Sequence, residues 1–166
     1  IRDLEGTPIP CQPGGPPIII GGGGKRVLTA AAQQADIVGL NASLHAGSVG
    51  PETALSALGE RFLERRNWVE EAAGDRFAQI ELQMNTFMTA VTSSTSEAEE
   101  MFNGMAPMFG LTAEQAKTIP MVLAGTVNDV CEQLERYRDQ YGTSYWVIHD
   151  GEIETMAPVV AKLAGS

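Results

Sequence analysis

Pro16-Pro17-Ile18-Ile19-Ile20-Gly21-Gly22-Gly23-Gly24-Lys25-Arg26-Val27-Leu28 is the stretch on which the reading of this chain turns. A β-branched run bounded by proline and glycine is a buried strand. Beyond the glycines, Val27, Leu28, Ala30, Ala31 and Ala32 read as a short alanine-rich helix. A strand that runs through glycines into a helix lets backbone approach an anion, because no Cβ is in the way and the first amides of the helix are unpaired and partly positive. Lys25 and Arg26 oppose the helix dipole, and their position becomes favourable when an anion sits beside them. The same residues also read as a flexible turn followed by a surface Lys-Arg pair. The stretch lacks the Lys-Ser/Thr ending of a Walker loop, and Asp36 follows the glycines too closely for the ribose-binding acid of a dinucleotide fingerprint.

Upstream, Pro8, Pro10, Pro13, Pro16 and Pro17 alternate with Gly6, Gly14 and Gly15. No regular element runs through that density of breakers. Residues 1–15 are expected to be a proline- and glycine-rich lead-in, and residues 16–166 the folded unit. Downstream, Asp36-Ile37-Val38-Gly39-Leu40 is a second buried strand. A long helix is expected from Pro51 to a stop at Gly74, with Leu55, Leu58, Phe62 and Val69 on its apolar face. A third strand is expected from Ala78 to about Val91, where Ile80, Leu82, Met84 and Thr86 alternate with Glu81, Gln83, Asn85 and Phe87. Helices follow over Glu97–Phe109 and from Thr112, then a brief extended run at Met121–Ala124. Thr126 caps an amphipathic helix carrying Val127, Val130, Leu134, Tyr137 and Tyr141 on one face, and Gly142 ends it. Ser144–His149 is a fourth strand, and Glu152–Leu163 a closing helix. Strands alternating with helices at this spacing imply α/β architecture, with parallel strands joined by right-handed crossovers.

The net charge of −10 over 166 residues argues against nucleic acid and against an anionic membrane face. No apolar run is long enough for a spanning helix, and the first residues lack the apolar core of a signal peptide, so a cytoplasmic location is the expectation. Cys11 and Cys131 are too few and too far apart for a metal cluster or a disulfide framework.

The opening stretch, with Ala31-Ala32 and Ala35-Asp36-Ile37-Val38 after it, resembles a segment of the luciferase-like oxidoreductases, the flavin- or deazaflavin-dependent (β/α)8 barrels. Three further stretches agree in order and spacing. Ala72-Ala73-Gly74-Asp75-Arg76-Phe77 with Ile80-Glu81-Leu82-Gln83 is similar to a mid-barrel stretch of an actinobacterial deazaflavin-dependent branch. Leu123-Ala124-Gly125-Thr126-Val127, with Val130 and Leu134, resembles the family's Gly-Thr signature before a helix. Tyr145-Trp146-Val147-Ile148 resembles its last barrel strand.

The resemblance implies the C-terminal half of a (β/α)8 TIM barrel, its four strands matching the fifth to the eighth. A complete barrel needs about 250 residues, and the chain opens on Ile1 rather than Met, so a fragment of a longer protein is expected. Two unpaired edges and an exposed apolar face would follow, with a homo-oligomer or the missing N-terminal half covering them. The implied activity is hydride transfer or monooxygenation of a small organic substrate, with coenzyme F-420 preferred over FMN. In these enzymes the backbone after the fifth strand binds the cofactor phosphate, which maps to Gly21, Gly22, Gly23, Gly24, Lys25 and Arg26. Leu40, Asn41, Glu81 and His149 are candidates for the substrate or cofactor face. Glu81, Gln83 and Asn85 share one strand face, either a polar barrel interior or a solvated surface. Most catalytic residues are expected in the absent half. Two other readings stay open: a non-catalytic phosphate-binding or packing half-barrel that needs a partner, and a barrel enzyme for a sugar phosphate without redox chemistry.

Overall fold

Four parallel strands form the main sheet of the computed structural model, which describes residues 7–44, 47 and 50–165. The isoleucine run becomes β1 (Ile19–Gly22), and α1 (Lys25–Gln34) follows directly. β2 (Ile37–Leu40) returns beside β1, with Ile19 opposite Ile37 and Gly21 opposite Gly39. Two helices, α2 (Pro51–Ser56) and α3 (Gly59–Ala73), lead through a 3-10 segment into β3 (Glu81–Asn85), which pairs with β2.

The chain then runs through β4 (Met88–Val91), α4 (Thr95–Met105), a 3-10 turn at Ala106–Phe109, α5 (Ala113–Lys117) and β5 (Val122–Gly125). β4 and β5 pair with each other as a separate parallel ribbon. After α6 (Val127–Tyr141), β6 (Thr143–Val147) completes the main sheet beside β3, and α7 (Ile153–Leu163) closes the described chain. The order in the main sheet is β1-β2-β3-β6. The strands of the main sheet are separated by helices as expected from the sequence, while β4, which follows β3 with no helix between them, and β5 form a pair beyond the four expected strands.

The two faces of the sheet differ. Val38, Leu40, Leu82 and Met84 are buried, as are Leu28, Phe62, Val69, Val130 and Val159 on the helices. The opposite face carries Ile19, Gly21, Ile37, Gly39, Glu81, Gln83, Asn85, Tyr145 and Val147, set by the period of two and the register. On it, Ile19 is 51%, Tyr145 40% and Val147 39% exposed. Among the described residues no strand pairs with the outer edge of β1 or of β6.

Two elements differ from expectation. The third strand is not continuous to Val91. At Thr86 the backbone still donates to Val147, but at Phe87 and Met88 it donates to the Met121 carbonyl, so the strand leaves β6 and joins β5. The long helix breaks at Leu58, whose backbone is extended. A Cβ on Gly59 would lie 2.7 Å from the Thr118 carbonyl oxygen and 2.8 Å from the Tyr141 hydroxyl. The start of α3 is therefore pressed against two remote segments, and the helix restarts there rather than continuing from α2.

The expected helix stops hold: Gly74 and Gly142 end α3 and α6 with φ of 54° and 76°. Thr126 and Asp129 form a capping box at the start of α6. An aromatic ladder joins α3, α6 and β6, with Phe62–Tyr141, Tyr137–Tyr141 and Tyr137–Trp146 centroids 6.4, 5.7 and 5.9 Å apart.

Burial pushes the Tyr141 phenol up to about 12, and its hydroxyl donates to the Gly59 carbonyl. A phenol whose folded pKa lies above its unfolded value near 10 keeps its full stabilisation below that value and loses it as pH rises through the folded pKa. The urea midpoint is therefore expected to fall between pH 10 and 12, and Tyr141→Phe to flatten that fall. A midpoint equally pH-dependent in Tyr141→Phe would refute the assignment.

Candidate functional site

The site sits at the C-terminal ends of β1, β2 and β3. There a cleft of about 490 Å³ is lined by Gly22, Gly23, Asn41, Asn85, Phe87 and His149, among others. Four of these, Gly22, Gly23, Asn41 and His149, are sequence candidates from separate parts of the chain, and the parallel sheet brings them to one edge.

None of the four turn glycines has a positive φ, so conformational freedom does not explain them. Close approach explains three. A Cβ on Gly21 would meet Asn41 Nδ2 at 2.9 Å, one on Gly22 the Val27 side chain at 2.7 Å, and one on Gly23 the Ala42 carbonyl oxygen at 2.5 Å. Gly24 faces open space. It is the N-cap of α1, with extended backbone, no capping side chain and no acidic residue in the first turn. The amides that open α1 are thus left for an external partner. Lys25 and Arg26 are exposed beside them. Lys25 reaches Glu71 at 3.8 Å across solvent, a pair worth little. Among the described residues Arg26 has no hydrogen bond or ion pair.

A third cation stands behind the turn. Arg65, on α3, is only 4% exposed. Its Nε donates to the Gly23 carbonyl at 3.0 Å and its Nη1 to the Ser56 carbonyl at 2.7 Å. Its guanidinium lies 5.2 Å from the centroid of the Phe62 ring. Burial pulls its pKa below the ordinary arginine value, yet the group stays charged at neutral pH. The sequence reading passed over Arg65. The available signal was its place in the stripe Leu58, Phe62, Arg65, Val69, where a charge interrupts an apolar helix face.

The inner face of the sheet adds amides. Gln83, 2% exposed, donates through Nε2 to Asn85 Oδ1 at 2.6 Å, and Asn85 Nδ2 reaches Asn41 Oδ1 at 3.4 Å. Gly39 leaves room for this chain, since a Cβ there would come within 2.8 Å of Gln83 Oε1. Gln83 and Asn85 therefore share one strand face, with Gln83 buried and Asn85 exposed.

Gly21, Gly24, Lys25 and Arg26 belong to the turn without lining the cleft, and two further candidates lie away from both. Leu40 is fully buried with the outer-face residues, because the period of two turns its side chain away from Asn41. Glu81 opens β3, opposite Ile37 at the other end of the strand, where it accepts a hydrogen bond from Ser144 Oγ at 3.3 Å. Three strand residues separate it from Asn85, which does line the cleft.

His149 follows β6 and closes a capping box with Glu152. Glu152 accepts from the His149 amide at 3.0 Å and from the Thr89 amide of β4 at 2.7 Å. Partial burial pushes the Glu152 carboxyl up, and these donors outweigh it, leaving the group below the ordinary glutamate value. His149 is thus a capping residue that also lines the cleft. His45 lies outside the described residues.

No family model and no curated protein matches the sequence. Solved structures do match the fold. A long-chain alkane monooxygenase, LadA, superposes with a TM-score of 0.57 at 14% identity, over 90% of this chain and 41% of that one. EDTA monooxygenase from Chelativorans sp. BNC1 gives 0.54 at 13% identity, over 90% and 44%. The coenzyme F420 dependent tetrahydromethanopterin reductase from Methanopyrus kandleri gives 0.54 at 16%, over 88% and 49%. The chain has the fold of a partial (β/α)8 barrel, shared with part of each of these structures. It spans less than half the length of each of these three structures. In such a barrel the C-terminal strand ends are the face where active sites form, and that is the edge holding the cleft.

Proposed function

We propose that this chain is the C-terminal half-barrel of a luciferase-like oxidoreductase that binds coenzyme F-420, with FMN as the alternative cofactor. The observation that carries the reading is the uncapped start of α1, open at Gly24 and flanked by Lys25 and Arg26, next to a cleft at the strand ends of a partial barrel. This arrangement fits a phosphate. The anion would take the first amides of α1, and Lys25 and Arg26 would neutralise it. Gly21, Gly22 and Gly23 serve by letting β1, α1 and the segment after β2 close together, which aims those amides. Asn41, Asn85 and His149 line the space beyond, and their amide and imidazole groups suit hydrogen bonding to a polar ring edge or to substrate. When bound, the cofactor supplies hydride transfer or oxygen activation; the protein orients it and anchors its phosphate.

The substrate is a small organic molecule, and the rest of the site lies in a further half-barrel. A second reading, a phosphate-binding or packing module completed by a partner, draws on the open edges of β1 and β6 and the exposed Ile19, Tyr145 and Val147.

The decisive test is a fluorescence titration of the full-length protein with coenzyme F-420 and with FMN, beside Gly24→Asp. An aspartate at this N-cap occupies the anion position and repels a phosphate, while helix capping raises stability by a few tenths of a kcal/mol. The expected result is tighter binding of coenzyme F-420 than of FMN, weakened ~10-fold or more in the variant. Binding of neither cofactor would sink the redox reading. A well-folded monomer of this chain on sizing would count against completion by a partner.

A further inference from the structure

We infer that the chain holds a second, apolar chamber that takes a small, neutral aromatic molecule bearing one hydrogen-bonding group. The chamber, about 400 Å³, lies between β4, α2, α5 and the end of α4. Small-molecule sites run from about 300 to 1,000 Å³. Phe87 and His149 line both this chamber and the cleft at the strand ends, so the two volumes meet at these side chains.

The lining decides the ligand class. Met88, Met105, Phe87 and Phe109 present thioethers and rings, which make favourable contacts with the edges and faces of an aromatic ligand. Ala54 and Ala116 leave the volume open where larger side chains would close it. Among the described residues no Asp, Glu, Lys or Arg lines the chamber, so a charged ligand would be desolvated without a counter-charge. A rigid ring loses less conformational entropy on burial than a flexible chain of equal size. The His149 imidazole, held by its capping box, stands at the junction with the cleft and orients the ligand's polar group toward it. In the proposed enzyme the ligand is the substrate, and that assignment rests on the redox reading; the binding itself does not.

The test uses 2-naphthol and its emission on titration with the whole chain, without cofactor. Saturable one-to-one binding is expected. Ala116→Leu and Ala54→Leu, each checked for folding by circular dichroism, fill the chamber from α5 and from α2 and should each weaken binding ~10-fold or more. Naphthalene should bind more weakly than 2-naphthol, and that preference should vanish in His149→Phe. In the unaltered protein, nuclear Overhauser contacts should join 2-naphthol to the Met88 or Met105 methyl groups, a readout independent of whether the variants fold. Unsaturable binding, absence of those contacts, or displacement of 2-naphthol by an equal concentration of 1-octanol would overturn the inference. Binding of 2-naphthol by a protein that binds neither coenzyme F-420 nor FMN would overturn the redox reading and leave the chamber standing; binding of a cofactor without binding of 2-naphthol would do the opposite.

Discussion

Gly23→Ala is expected to lower stability by ~3 kcal/mol or more, whereas Gly24→Ala, one residue later, is expected to be near neutral. Both glycines sit in the same turn, and both have backbone angles that alanine can adopt. They differ in what a Cβ would meet. At Gly23 it would lie 2.5 Å from the Ala42 carbonyl oxygen, 2.7 Å from its carbon and 2.8 Å from the Ser43 amide. These are backbone atoms, and the segment cannot yield by a rotamer change. Either β1 or the stretch after β2 must move, and the pairing of Gly22 with Leu40 goes with it. Against a total stability of about 5–15 kcal/mol this is a large fraction. At Gly24 the Cβ enters open space. The measurement is the urea midpoint of each variant, with the slope checked for constancy so that the shift reads as stability. A Gly23→Ala midpoint equal to that of Gly24→Ala would show that the turn is loose and that its glycines are there for the ligand alone.

This contrast marks what could be read from the residues and what could not. β1, α1 and β2 were legible because a β-branched run, glycines and an alanine-rich run each carry a local preference. The caps at Thr126, Gly74 and Gly142 were legible for the same reason. The split between β3 and β4 was not, because the alternation of Leu82, Met84 and Thr86 runs up to the break and only the remote Met121 carbonyl decides where the strand changes partner. The break before α3 likewise depends on Thr118 and Tyr141, far along the chain. At the site, the glycines announced a close approach, but to what was hidden: Asn41, Val27 and Ala42 take three of the four, and Gly24 alone faces outward. Glu81 was misplaced because a strand's two ends look alike until its register is known, and Leu40 because one step along a strand reverses the face.

Arg65→Met is expected to cost ~3 kcal/mol, and Arg65→Lys to recover only part of it. The guanidinium holds the Gly23 and Ser56 carbonyls at once, so it ties the turn after β1 to the end of α2 from a position on α3. Methionine preserves much of the aliphatic volume but leaves both carbonyls without this donor, and bonds to a charged donor are worth ~1.5–3 kcal/mol each. A lysine ammonium keeps the charge, yet it lacks the planar fork whose separate nitrogens meet the two acceptors. The two substitutions therefore separate two roles. If Arg65 acts only by bracing the turn, cofactor affinity should follow stability, with Lys close to Met in both. If its buried positive charge also adds to the field at the start of α1, Arg65→Lys should bind phosphate-bearing cofactor more tightly than Arg65→Met by a wider margin at low salt than at high salt. The field is expected to contribute, because nothing acidic lies in the first turn of α1 to cancel it and the guanidinium is within hydrogen-bonding distance of the turn itself. A urea midpoint for Arg65→Met equal to that of the unaltered protein would remove the bracing role, and a Lys-to-Met affinity margin that does not change with salt would remove the field.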